Sequence, residues 1–269
     1  MKVIVAENFS IYSYLQQVWR YRSLIKLVAI RDLKIQYSQT LLGLTWVIVQ
    51  PLVAILIYSI FFYKILGIKT GGTPYPLFAF SGIMGWFTFT YIINSAGSSL
   101  VDNRDLIKRV EFPKLILPLA KCLGSMINFG VSLGLLFLFM IFYGQVFTIK
   151  ILLLPLFIFI NVFLGLTIGI WLASLTIRFR DFFHIIPYLI SFGIWVTPVF
   201  YPTTILPLKY TYILYFNPLA GVIAGYRWTL LDMPAPSPYY LLSMLPVLLL
   251  FGAGVRFFIH TEQIIVDYL

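Results

Sequence analysis

Residues Asn103 to Leu119 read NRDLIKRVEFPKLILPL, and the segment sets Arg104, Asp105, Lys108, Arg109, Glu111 and Lys114 between two long uncharged runs, 70–101 and 122–149. Each run exceeds the roughly 20 apolar residues that a helix needs to cross a bilayer. Asn103 is placed to cap a short helix, and Pro113 disfavours helical backbone at Phe112, which predicts about two turns of polar helix between two spans. Leu106, Ile107 and Val110 form an apolar ridge beside Arg104, Asp105, Lys108, Arg109 and Glu111. A short rigid helix with a ridge and charges can be gripped by a soluble partner. The plainer alternative is a solvated loop that only sets topology.

Composition supports reading the flanks as membrane spans. The chain has 269 residues, is 61% hydrophobic and only 10% charged, with a mean hydropathy of +0.95. That is far more apolar than a soluble domain, and one core cannot hide so much apolar surface. The uncharged runs 35–63, 70–101, 122–149, 151–177, 182–208 and 233–255 can each hold one span. Six spans are predicted, near 44–66, 76–99, 118–143, 151–175, 184–201 and 238–258.

Nineteen Lys and Arg against nine acidic residues give a net charge of +10. The cations lie between apolar runs instead of forming one basic domain, which argues for positive-inside topology and against a nucleic-acid partner. With a cytoplasmic N-terminus, the segments 1–43, 100–121, 176–183 and 256–269 carry fourteen cations and the opposite loops five. Both ends are therefore expected inside. No internal repeat or soluble domain interrupts the chain, so 1–269 reads as one membrane domain: an interface region over 1–43, six spans over 44–258 and a cytoplasmic tail over 259–269.

A secretory signal is not expected at the start, because Trp19, Arg20, Arg22 and Lys26 occupy the place of its apolar core. Ile11, Tyr14, Leu15, Val18 and Trp19 follow helical spacing after Ser10, a plausible cap, and predict an amphipathic helix along the cytoplasmic interface. At the other end, 202–237 is too apolar for a solvated loop and too rich in proline for a span. Its pieces read as re-entrant or interfacial half-helices on the outer face; an amphipathic helix on the outer leaflet is the alternative. Before it, Arg178, Arg180 and Asp181 form a second cytoplasmic turn, and Pro187 and Pro198 predict bends in the following span.

Catalytic and metal chemistry find little support. Cys122 has no partner cysteine, and His184 and His260 are distant, so neither a disulfide framework nor a metal site is expected. No GxSxG elbow, HExxH helix or GxxxxGK[ST] phosphate loop occurs, so an ATP-driven pump built on this chain must borrow its ATPase. The uncharged runs also lack the acidic or basic groups of an ion-coupled relay.

Aromatic residues make up 18% of the chain, and most suit interfacial belts. Trp86, Phe87, Phe89 and Tyr91 instead fall near mid-span, where ring faces can stack on sugars while tolerating sliding, although close helix packing explains such residues too. Tyr58, Phe62, Tyr188, Trp195 and Tyr201 are further candidates. Gly130 with Gly134 and Gly165 with Gly169 permit close helix approach, within one subunit or between two.

Together, RDLKIQYSQTLLGLTWVIVQPL at 31–52, NRDLIKRVEFPKLILPL at 103–119, FRDFFHIIPYLISFGIWVTPVFYP at 179–202 and NPLAGVIAGYR at 217–227 resemble the membrane subunit of type-2 ABC exporters, in particular the polysaccharide branch that exports O-antigen or teichoic-acid chains. The resemblance implies an all-α integral membrane permease of the bacterial inner membrane. It implies two copies of the permease with two copies of an ABC ATPase, which binds ATP and Mg, and no cofactor in this chain. Asn103 to Glu111 would be the coupling helix, with Arg178, Arg180 and Asp181 nearby, and the broken outer region would narrow the exit. The cargo would be a lipid-linked polysaccharide, with membrane lipids as the other partner. Competing functions are export of a lipid or small hydrophobic drug, a membrane enzyme acting on lipid-linked sugars, and a passive channel. The enzyme would need acids or a nucleophile facing a cavity, and a channel leaves the coupling segment without a purpose.

Overall fold

The computed structural model describes residues 11–38, 43–179 and 181–268, and among these every regular element is helical. Ser10 and Arg180, both singled out above, lie outside the described residues. Two helices, α1 (Ile11–Arg20) and α2 (Arg22–Ser38), precede α3 (Trp46–Tyr58), which continues as a π-helical stretch over Ser59–Ile65. Then follow α4 (Tyr75–Asp102), the short α5 (Arg104–Arg109) and α6 (Ile116–Phe142). A 3-10 turn at Ile149–Leu153 leads into α7 (Leu154–Arg178), and α8 (Phe182–Val196) follows. The chain ends with α9 (Leu208–Leu214), α10 (Pro218–Leu231), a 3-10 segment at Pro238–Ser243 and α11 (Met244–Tyr268).

Five helical stretches are long and apolar enough to cross a membrane: Trp46–Ile65, Tyr75–Asp102, Ile116–Phe142, Ile149–Arg178 and Pro238–Ile264. They coincide with five of the six predicted spans, and the protein is an integral membrane protein. The stretch predicted at 184–201 forms α8, whose 15 residues rise only about 22 Å against a hydrocarbon core of about 30 Å. Pro187 is accommodated inside α8, but the helix stops at Val196, two residues before Pro198.

Helix α4 is the axle of the molecule, buried along most of its length and packed against α3, α6, α7, α8 and α10. Lipid tails are as apolar as leucine, so close packing and polar contacts must hold such helices together. Small residues supply the approach. A Cβ at Gly165 would lie 3.0 Å from Ile92, and one at Gly169 would lie 2.7 Å from the Ala96 Cβ, so this GxxxG pair serves contact with α4 inside the chain. Gly130 and Gly134 meet nothing within 4 Å. The α4–α7 seam is fastened by Thr176 Oγ1, which donates to the Gly97 carbonyl at 2.8 Å.

The region 202–237 breaks up as its prolines require, but not into equal pieces. Helix α9 has seven residues and α10 has fourteen. Eleven of the fourteen α10 residues are buried, against α4 and α7, so α10 is an interior element and not a helix resting on a lipid surface.

Candidate functional site

A cavity of about 610 Å³ opens between α3, α4, α6 and α8. Tyr58, Trp86, Phe87, Tyr91 and Trp195 line it, so five of the nine predicted aromatics converge there from three helices. Gln36, Gln50, Asn94, Asn128 and Ser191 are among the polar residues of its wall. These amides and hydroxyls both donate and accept hydrogen bonds. Ring faces beside them can stack on apolar faces of a sugar. Nothing in the sequence pattern marked the polar members, because an isolated Asn or Gln in an apolar run has no period of its own.

Trp86 is held in place. Its ring lies 6.0 Å from that of Phe89, and its tip rests on Gly193 of α8, where a Cβ would come within 3.0 Å. The other four aromatics do not line this cavity. Phe62 is buried and stacks on Phe200 with centroids 5.4 Å apart. Phe89 packs among Ile93, Leu172 and Ile186, Tyr188 is 69% exposed, and Tyr201 donates to the Trp195 carbonyl at 3.0 Å.

A second cavity of about 540 Å³ shares Gln36, Tyr91 and Ser95 with the first. Tyr91 donates to the Gln36 Oε1 at 2.8 Å at this junction. The second cavity reaches the charged end of the molecule, where Arg31, Asp32, Asp102, Asn103 and Lys121 line it. There Lys121 bridges Asp32 at 2.8 Å and Asp102 at 3.8 Å.

Helix α5 sits at that same end. Arg104, Asp105, Lys108, Arg109 and Glu111 are exposed, Leu106 is half-buried and Ile107 is buried. The expected ridge is therefore split: Ile107 plugs into the protein, while Val110 stays 45% exposed. Asn103 holds the N-cap position but makes no capping hydrogen bond. It is buried, donates to the Ser99 carbonyl at 2.8 Å and accepts from Arg31 of α2. Its role is to tie α2 to the α4–α5 corner. Arg178 closes α7 and Asp181 precedes α8, both exposed, and the α7 terminus lies beside α4 through the Thr176 bond.

Three chain segments meet just after α5. Glu262 of α11 accepts from the Lys114 backbone N–H at 2.9 Å and from the Tyr14 hydroxyl of α1, and Leu115 N–H donates to that hydroxyl at 3.4 Å. Burial and then the adjacent carboxylate push the Tyr14 hydroxyl far above its ordinary pKa, so it remains a proton donor. Burial lowers the pKa of the Lys114 ammonium, opposed by Glu262 and Glu111. The predicted stripe on α1 divides accordingly: Tyr14 and Val18 face the protein, while Leu15 and Trp19 are exposed.

At the opposite end, sequence reading missed the residue that organises the segment between α8 and α10. Arg227 of α10 is 6% exposed; it donates to the carbonyls of Pro198 at 2.8 Å, Val199 at 2.6 Å and Phe78 at 3.4 Å. Its guanidinium also lies 3.5 Å from the Phe78 ring centroid, a cation–π geometry. The end of α8 leaves carbonyls without helical donors, and the planar fork of arginine meets several at once. Asn217 caps α10 at the Leu219 N–H and reaches Thr197 Oγ1 at 3.0 Å. Tyr226 meets Asn161 of α7 at 3.1 Å. One signal was available: Arg227 is the lone charge in the apolar stretch 210–231.

A helical membrane protein with adjoining polar and aromatic cavities, a charged end bearing α5 and an opposite end pinned around Arg227 has the build of a transporter subunit. The chain belongs to the ABC-2 type transporter family, whose model matches residues 23–231. Among its relatives is an O-antigen export system permease protein RfbA of Myxococcus xanthus, 27% identical over 252 residues, covering 92% of this chain and 96% of the relative. Two proteins of the same description from Klebsiella pneumoniae are 25% and 26% identical over 205 residues, each covering 76% of this chain and 78% of the relative.

Proposed function

We propose that the chain is the permease subunit of an ATP-driven exporter that moves a lipid-linked polysaccharide of O-antigen type across the bacterial inner membrane. The observation that carries this reading is the pair of adjoining cavities, which share Gln36, Tyr91 and Ser95 and are walled by amides, hydroxyls and ring faces. Such a wall offers a sugar chain many weak and interchangeable contacts, and weak grip at each is what a long polymer needs in order to slide. A small hydrophobic cargo has no use for so many amide groups. The relatives' role as O-antigen export permeases points the same way.

Two copies of the chain work with two copies of an ABC ATPase, which holds ATP and Mg and docks at the end bearing α5 and the turn around Arg178, Arg180 and Asp181. ATP binding shifts the balance of two permease states only by its differential affinity for them. The excess of cations at the α5 end supports cytoplasmic termini. A sixth crossing is completed by α8 with the non-helical stretch after Val196, and α9 and α10 form a re-entrant closure on the outer side. Burial of α10 and the cradle around Arg227 support that closure, since irregular backbone at membrane depth must be buried in protein or line a cavity.

The test is to deplete the chain in its native cell and follow surface polysaccharide and its lipid-linked precursor by carbohydrate labelling. Precursor accumulating inside with loss at the surface is the expected result. Normal polysaccharide in both places overturns polymer export and favours a lipid or drug as cargo.

A further inference from the structure

Leu115, at the N-cap position of helix α6, makes no side-chain capping bond. The first N–H groups of any helix need partners, and a carboxylate suits the positive end of the helix dipole. Inside α6 they are local, Ile116 N–H donating to the Pro113 carbonyl at 3.1 Å and Leu117 N–H to the Lys114 carbonyl at 3.0 Å, whereas the two N–H groups just ahead of the helix find their partners in two distant parts of the chain. Glu262 of α11 accepts from Lys114 N–H at 2.9 Å, and the Tyr14 hydroxyl of α1 accepts from Leu115 N–H at 3.4 Å while donating to Glu262.

The joint lies immediately behind α5. From Arg109 the chain passes through extended Val110 and buried Phe112 and Pro113 to Lys114, whose ammonium returns to the Val110 carbonyl at 3.3 Å and covers the Phe112 ring at 4.3 Å. This linker is braced, so a push on α5 is delivered to the start of α6. That start is bonded in turn to α1 and α11.

We propose that Glu262 and Tyr14 are positioning residues that make α1, α6 and α11 move as one body when the ATPase displaces α5. The proposal rests on the reading of α5 as the docking helix. It adds the path by which force spreads beyond α4 and α6, the two helices that flank α5 in the chain, to α1 and α11.

The test uses the permease and its ATPase reconstituted together in liposomes, with lipid-linked polysaccharide extracted from the native cell as the probe. Export and phosphate release are measured for Glu262→Ala, Glu262→Gln, Tyr14→Phe, the Glu262→Ala/Tyr14→Phe double variant and, as a reference for docking, Glu111→Lys. Expected is a fall in polymer exported per ATP of at least about fivefold in Glu262→Ala and Tyr14→Phe, the lower range of coupling between sites. Hydrolysis itself continues. The double variant should lose no more than the worse single one, because both break the same joint, and Glu262→Gln, which keeps an acceptor for Lys114 N–H, should recover part of the loss.

Tyr14→Phe removes a single oxygen, so it still decides the question if Glu262→Ala folds poorly. Unchanged coupling in the Glu262 and Tyr14 variants, beside a Glu111→Lys variant that uncouples, overturns the joint alone. Unchanged coupling in Glu111→Lys as well traces the failure to the docking reading and overturns the joint with it.

Discussion

The Arg227 Nη2 donates to the Val199 carbonyl at 2.6 Å, beneath a helix that has just ended, with Gly82 of α4 leaving the room for both. A Cβ at Gly82 would meet that carbonyl at 2.6 Å and the guanidinium at 2.9 Å. The junction of α4, α8 and α10 therefore depends on a buried cation that meets three carbonyl oxygens and one ring face.

Arg227→Met should lower thermal stability in detergent, since each carbonyl left without a donor costs about 1–3 kcal/mol. Arg227→Lys should recover only part, because an ammonium is a point donor and cannot reproduce the fork. Melting curves of the purified variants check both. Full recovery by lysine would show that charge alone matters.

Gly225→Ala should abolish folding or sharply reduce yield. Its Cβ would sit 2.1 Å from the Phe157 ring, and overpacking of even ordinary severity costs about 1–3 kcal/mol. Adding Phe157→Ala should restore folded protein, read as the monodisperse peak on size-exclusion chromatography.

The two GxxxG pairs should respond differently. Gly169→Leu drives a side chain into Ala96 and should destabilise the chain, whereas Gly134→Leu enters open space and should stay within about 0.5 kcal/mol of the parent, as ordinary surface changes do. Equal losses at both positions would place Gly134 in a contact with another chain.

Trp86→Ala should lower polymer export while assembly with the ATPase persists, as judged by co-purification. Gly193→Val should do likewise by displacing the Trp86 ring, which already lies 3.0 Å from the nearest Cβ position. Unchanged export in Trp86→Ala removes this side chain from the pathway.

The length and spacing of the uncharged runs determined the class of this protein, and five of the predicted spans needed nothing further, because a bilayer demands long apolar helices wherever they occur. The short helix after Asn103 was equally legible, since Pro113 and the charge cluster act locally. Helix rotation was not legible. Trp86 and Phe89 are three residues apart on α4, yet only Trp86 lines the cavity, a choice made by Gly193 and by the seam with α7. Nor could the partners of Arg227 and Glu262 be foreseen, because Val199 and Tyr14 are 28 and 248 residues distant from them. Hydropathy is a property of each segment alone, while the donors and acceptors that a buried group meets are supplied by whichever segments pack against it, and only the tertiary structure brings those together.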